Sequence, residues 1–288
     1  MRLIDSCGLF IDRDELARRV VKHYSRSPKV DRIILSWNNL GRAPPDVEWF
    51  ESNVPLFIVR EAVDSLNNRF KPNPLIETEA VFNVDDDIEI PLHAMEFAFS
   101  IWQQFPRQMV GFYPRSYMTQ PSYPEFCLTP AAVAELQKQS PKYYYNLNCV
   151  DPLTGETVTR GDTSEFAIVL DSMIFHHKRY MDAYFEVLPR KLRDLVDEKR
   201  NCEDLVLPYL MSHLERLPPV LVSHPEVDGR TEHLQFQNKL GHHPGLNTQD
   251  GHYFKRNQCM QILYEEFGYQ PLLHSNFAVS AIGLPDFL

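Results

Sequence analysis

Three adjacent carboxylates, Asp85-Asp86-Asp87, stand directly after the apolar run Ala80-Val81-Phe82-Asn83-Val84. Like charges this close repel one another and disfavour both helix and strand. A divalent cation removes that penalty, and hard oxygen ligands at a strand end suit Mn²⁺ or Mg²⁺. Such an ion in turn serves chemistry that builds negative charge on a leaving diphosphate. The plain alternative is an acidic surface turn, which is what most aspartate runs are. The buried lead-in weighs against it, because solvated turns seldom end a strand buried on both faces.

A second group of polar residues lies far down the chain, where Asn201-Cys202-Glu203-Asp204 precedes an apolar periodic stretch. Read locally, it is a helix N-terminus, with Asn as the cap and acids in the first turn. A cap of this kind also exposes carboxylates and backbone N–H groups at a cleft. Arg256, on a later helical stretch, offers the planar fork that a diphosphate calls for, although a solvated helix arginine has the same composition. Asn38 and Asn39 before Gly41 read first as a turn. His176-His177 and the later histidines lack a paired helical spacing, so no zinc site is expected. The aromatic run Tyr143-Tyr144-Tyr145 reads as strand packing first and as a stacking face for a sugar second.

Elements that must carry these groups alternate in the first half. Apolar residues Leu16, Ala17, Val20 and Val21 mark one face of a helix over 12–24. Ile33-Ile34-Leu35, Leu56-Phe57-Ile58-Val59 and Ala80–Val84 read as strands, 96–105 as a helix and 109–113 as a further strand. That alternation predicts an α/β fold with a largely parallel sheet, in which ligands bind beyond the carboxyl ends of the strands. In the second half, 116–163 reads as loops with a helix over 130–139, 166–175 as a strand and 180–195 as a helix. Helices are also expected over 201–214 and 254–267, with Pro208 near the start of the first, where proline costs least. Residues 219–222 read as a strand. The stretch 224–252, carrying His224, His233, His242, His243 and His252, reads as a polar flap. A division near residue 130 would separate two lobes of a single domain over 1–288, 1–130 and 131–288.

Composition narrows the options. At 288 residues, 43% hydrophobic and 24% charged, the chain can bury a substantial core, and its net charge of -10 argues against a nucleic-acid partner. No run approaches the roughly 20 apolar residues that span a bilayer. The N-terminus is too polar for a signal peptide, so the chain is expected to be cytosolic or a luminal domain cut from its anchor. Five cysteines (Cys7, Cys127, Cys149, Cys202, Cys259) show no CxxC or metal-ligand spacing, and no Asn-x-Ser/Thr sequon occurs.

Several ordered blocks carry a resemblance. Trp37-Asn38-Asn39, Ser65-Leu66-Asn67-Asn68-Arg69-Phe70 and Ile76–Val81 running into Asp85–Asp87 resemble the exostosin-like glycosyltransferases, family 64. So do Phe97–Gln103, Val110-Gly111-Phe112 and Pro114-Arg115. In the second half the resemblance continues through Asn201–Asp204, Arg256-Asn257-Gln258-Cys259 and Phe267–Leu272. It covers most of 12–115 and 166–273 but not 116–163 or 222–250, the stretches expected to build the acceptor side.

The resemblance implies a GT-A fold, with a Rossmann-like mixed central sheet flanked by helices, a nucleotide-sugar-binding lobe over 1–130 and an acceptor-binding lobe over 131–288. It also implies retaining transfer from a UDP-sugar, typically an N-acetylhexosamine, with Mn²⁺ (or Mg²⁺). The acceptor would be a glycan or glycolipid. It implies Asp87 as the direct metal ligand, with Asp85 and Asp86 holding the ribose and the metal's water shell. Asn38 and Arg69, with Asn67 or Asn68 beside them, would contact the nucleotide, and Arg13 would join them, though the usual Tyr-Asn-Arg around it is absent. Asp204 would face the reacting sugar, Asn201 would line its pocket and Arg256 would clamp the diphosphate. The resemblance also implies a Cys202–Cys259 disulfide, which would place the chain in an oxidising Golgi or endoplasmic reticulum lumen; the full-length protein would be membrane-anchored and could pair with itself or another transferase. The alternatives are an inactive sugar- or nucleotide-binding partner, a GDP-mannose transferase of sphingolipid glycans, and, more remotely, a phosphotransferase without a glycine-rich loop.

Overall fold

The computed structural model describes residues 14–119, 143–145, 148–150, 157–159, 165–225, 227 and 252–281. Arg13, the expected helix over 130–139 and most of the histidine-rich stretch lie outside them. Helix α1 (Asp14–Tyr24) forms where the periodicity places it. Ala17, Val20, Val21 and Tyr24 face inward, acids occupy its first turn and Lys22 and His23 its last. Strands β1 (Ile33–Trp37) and β2 (Leu56–Arg60) pair in parallel, Ile33 opposite Leu56.

A second, five-stranded sheet is the centre of the domain. Its members are β3 (Ala80–Val84), β4 (Val110–Gly111), β11 (Met173–His177), β12 (Val220–Ser223) and β13 (Ala278–Ser280), in the order β13-β12-β4-β11-β3. The short strands β5 (Pro114–Arg115), β6 (Tyr117–Met118), β7 (Tyr144–Tyr145), β8 (Asn148–Val150) and β9 (Thr157–Thr159) pair outside it, β5 with β10 (Ile168–Val169), β6 with β7 and β8 with β9. The expectation of a largely parallel sheet is corrected in the five-stranded one. β12 runs parallel to β4 and β13, but β11 is antiparallel to both β4 and β3. Both halves of the chain contribute strands to this sheet, so the stretches before and after residue 130 share one scaffold.

Several boundaries differ for identifiable reasons. The apolar run 166–175 is two strands, β10 (Ile168–Val169) and β11, separated by a turn at Asp171-Ser172. The helix expected over 180–195 divides into α3 (Arg179–Glu186) and α4 (Arg190–Lys199), because Pro189 lacks the N–H that continuation needs. Helix α5 (Glu203–Glu215) starts two residues later than expected, yet Pro208 still falls beyond its first turn, where its ring denies the Asp204 carbonyl its helical hydrogen bond. Helix α6 begins at His252 and runs to Phe267, so His252 belongs to a helix and not to a flap.

Helix α2 (Leu92–Gln104) buries Ala94, Met95, Ala98, Ile101 and Trp102 against the sheet, with Phe97 only partly inward. A second apolar cluster joins α3, α4, α5 and α6 through Tyr184, Leu192, Leu205, Leu210 and Leu263. Gly111 sits between the two clusters. A Cβ there would stand 2.6 Å from the Met173 carbonyl and 2.7 Å from side-chain carbons of Ile174 and Val169. Gly111→Ala should therefore overpack the β4–β11 contact and cost about 1–3 kcal/mol, read as a lowered midpoint in urea with unchanged slope.

Candidate active site

Topology brings the two polar groups of the sequence together. β3 delivers the aspartate triplet at its carboxyl end. β11 runs antiparallel beside it with Met173 opposite Val84, so the turn before β11 lies against the triplet, and Asp85 N–H donates to the Ser172 carbonyl at 3.2 Å. Asp86 and Asp87 are buried and Asp85 is half-buried.

Arg69 links that turn to the rest of the site. It lies on a 3₁₀ helix, Leu66–Phe70, capped by the Ser65 hydroxyl, which accepts from Asn67 N–H at 3.1 Å. One guanidinium nitrogen donates to Asp85 Oδ1 at 2.6 Å and the other stands 2.6 Å from Asp171 Oδ2, with Glu203 Oε1 at 4.0 Å. The neighbouring residues hold this segment in place. Asn67 accepts from the Tyr184 hydroxyl at 2.7 Å and donates to Asp197 Oδ1 and to the Arg193 carbonyl, both at 3.0 Å. Its amide thus ties this segment to α3 and α4. Asn68 donates to Asn38 Oδ1 at 2.6 Å and to the Val63 carbonyl at 2.7 Å, pairing two buried amides at the end of β1.

Across the cleft, α5 starts from an unusual backbone. Cys202 has φ of 80°, in the left-handed region that costs a non-glycine residue about 1–3 kcal/mol. Two restraints hold it: its N–H donates to Asn201 Oδ1 at 2.7 Å, and its sulfur is bonded to Cys259 of α6. That disulfide closes a separation of 57 residues. It sets the start of α5 beside α6, and Arg256 Nη2 donates to Asp204 Oδ2 at 2.5 Å. Arg256 Nε donates to His252 Nε2 at 2.9 Å, the guanidinium lies 4.9 Å over the Tyr145 ring, and His252 Nδ1 stands 3.0 Å from Asn201 Nδ2. Asp204 Oδ1, Glu203 Oε2 and Arg256 Nη1 are buried and, among the described residues, have no hydrogen-bond partner.

Electrostatics follow from this crowding. Asp171 is pushed up to about 7, first by burial and then by Asp204 and Asp85, against the pull of Arg69. Glu203 is held well above the carboxylate range by burial, with Asp204 and Asp171 adding to it. Burial opposes the charge of Arg256, yet Asp204, Tyr145 and Glu203 together raise it further.

Among the described residues, no three His, Cys, Asp or Glu side chains form a group able to hold a metal ion. The acidic triplet is an oxygen-only donor set. It fits a hard cation bound through one or two carboxylates, with phosphate and water completing the shell. Asp171, Glu203 and His252 join the network although the sequence reading assigned them no chemistry, and Tyr145, read as strand packing or a sugar-stacking face, instead meets the Arg256 guanidinium. For His252 the signal was available, because it precedes Arg256 by four residues and so shares its helix face.

Two measurements follow. Asp171 holds a proton in the folded state up to about 7 but only to its ordinary 3.8 when unfolded, so the folded state binds more protons between those values. Its contribution to the stability of metal-free protein should therefore be complete below about pH 4 and lost as pH rises through about 7. Urea titrations of wild type and Asp171→Asn across that window should show a shallower fall for the variant. Separately, Cys202→Ser should cost about 2–4 kcal/mol by the same method.

The glycosyl transferase family 64 domain profile matches residues 7–284. Relatives include the exostosin-like-3 homolog of Caenorhabditis elegans, 29% identical over 277 residues, which cover 95% of this chain and 28% of the worm protein. Mouse exostosin-like 2 is 27% identical over 281 residues, covering 95% of this chain and 75% of the mouse protein. Glycosylinositol phosphorylceramide mannosyl transferase 1 of Arabidopsis thaliana is 27% identical over 275 residues, covering 92% and 72%. This chain thus spans well under half the worm relative and about three quarters of the other two. With its acidic strand end, buried Asp204–Arg256 pair and intact blocks in order, the chain belongs to glycosyl transferase family 64 and is a glycosyltransferase domain.

Proposed function

We propose that the domain has a GT-A architecture and transfers an N-acetylhexosamine from a UDP-sugar to a glycan or glycolipid, with retention and with a divalent cation, Mn²⁺ or Mg²⁺. One observation carries the reading. Asp204 Oδ1, Glu203 Oε2 and Arg256 Nη1 are buried polar atoms that have no hydrogen-bond partner among the described residues, and they lie within a glycosyltransferase domain. Unsatisfied groups of both signs are costly, and a ligand bearing both a diphosphate and a centre of developing positive charge satisfies them.

A cation at Asp87 and Asp85 would neutralise charge on the departing diphosphate. The chain's own groups do the rest. Arg256 Nη1 donates to a phosphate oxygen while Nη2 stays on Asp204, so one guanidinium relates the leaving group to the carboxylate. Asp204 Oδ1 faces the anomeric carbon. It stabilises an oxocarbenium-like centre, either by adding to it or by holding an acceptor hydroxyl that enters on the leaving-group side. Asn38 and Asn68 hold the nucleotide base, and Asn201 and His252 fix the orientation of the Arg256 helix. The N-acetylhexosamine donor rests on the resemblance of Ser65–Phe70, Asn201–Asp204 and Arg256–Cys259 to the exostosin-like glycosyltransferases. Support for an oxidising Golgi or endoplasmic reticulum lumen comes from the Cys202–Cys259 bond. No helix among the described residues is long and apolar enough to cross a membrane.

The reading of an inactive binding partner is less economical, because no binding role needs Asp204 held against Arg256 with one oxygen left open. The test is donor hydrolysis across UDP-sugars and GDP-mannose, with and without Mn²⁺. Cation-dependent turnover of a UDP-N-acetylhexosamine is expected, abolished in Asp87→Ala and reduced roughly 10²–10³-fold in Asp204→Ala. Turnover of GDP-mannose alone would overturn the donor. Absence of any turnover and of any cation-dependent nucleotide binding would overturn the enzyme.

A further inference from the structure

We propose that Asp171 is a positioning residue for Arg69, holding the guanidinium so that its other arm meets the acidic triplet and its face meets the nucleotide-sugar. This deepens the proposed function and rests on it.

The argument is geometric. An arginine beside three consecutive aspartates has several carboxylate oxygens within reach, and a single ion pair leaves the guanidinium plane free to rotate about it. Two pairs at its two ends do not. In this site the second end is held by Asp171 Oδ2 at 2.6 Å, the first by Asp85 Oδ1 at 2.6 Å. Asp171 is itself fixed. It is buried in the short turn between β10 and β11, and the next residue, Ser172, accepts the Asp85 N–H through its carbonyl. The same turn therefore holds the triplet by its backbone and Arg69 by its side chain. Glu203, which stands 4.0 Å from the same guanidinium, is not an equivalent anchor at that distance.

A purely structural ion pair would be a weak explanation. Burying Asp171 and Arg69 together costs desolvation that the pair at best offsets, and an apolar pair of similar size would pack as well. What the apolar pair could not do is set the angle of a guanidinium beside the acidic triplet. Asp171 is thus assigned through Arg69 to donor affinity and not to the bond-breaking step.

The experiment is a double-mutant cycle on the whole domain, read by calorimetric UDP binding in Mn²⁺, with a urea titration of each variant to confirm folding. Asp171→Ala should weaken UDP by about tenfold, and Asp171→Asn, which keeps an oxygen for Arg69, should lose less. In an Arg69→Ala background the Asp171→Ala change should have no further effect on UDP. In donor turnover, KM should rise with kcat little changed. Equal loss of affinity with and without Arg69, or loss of stability with UDP affinity intact, would overturn the positioning role alone. If wild type binds no nucleotide under any condition, the donor reading falls and the role falls with it.

Discussion

Buried negative charge in excess of buried positive charge is the constraint on which the rest of this domain depends. Asp171, Glu203 and Asp204 lie with Asp85 around Arg69 and Arg256, and ionised groups removed from water cost several kcal/mol each unless paired. A fold selected for stability alone would not gather them. Around this site, much of the tertiary structure acts to keep them in place. Asn67 ties the Arg69 segment to two helices, a disulfide joins the start of α5 to the middle of α6, and an antiparallel strand lays the Asp171 turn against the acidic triplet. Burial and the neighbouring carboxylates displace Asp171 and Glu203 upward, which favours the protonated form of each relative to water. A cation and a polarised sugar would relieve the excess in another way.

The two guanidinium groups divide the labour. Arg69 belongs to the strand-end side, with one arm on Asp85. Arg256 belongs to the helical side, with one arm on Asp204 and its face on Tyr145. Glu203 lies between them. The proposed function assigns the buried Asn38–Asn68 amide pair to the base, the acidic triplet with Arg69 to the diphosphate, and Asp204 with Arg256 to the ring that becomes positive as its bond breaks.

Much of this was legible in the sequence, for physical reasons that can be named. Ala80–Val84 reads as a strand because five consecutive residues are buried, and the triplet after it stands out because nothing local stabilises it. Asn201–Asp204 reads as a helix start, and the structure keeps the start while adding a left-handed Cys202 that only the disulfide and Asn201 make tolerable. Asp171 was hidden within an apolar run that passes for one continuous strand. Its turn is visible only once β10 and β11 are seen to pair with different neighbours. The sheet direction was misjudged for the same reason, since β11 enters between β3 and β4 from the second half of the chain, and no local pattern encodes that insertion. His252 was grouped with loop histidines although its four-residue spacing from Arg256 places both on one helix face.

The central claim is that the acidic strand end exists to hold a cation against a nucleotide diphosphate. Anomalous scattering from crystals grown with Mn²⁺ and UDP tests it most directly. The account predicts one strong manganese peak within coordinating distance of Asp87 and of the UDP phosphates, with Arg256 Nη1 turned to a phosphate oxygen. UDP bound at Asn38 and Asn68 with no manganese at the triplet, or manganese bound away from Asp87, would contradict it.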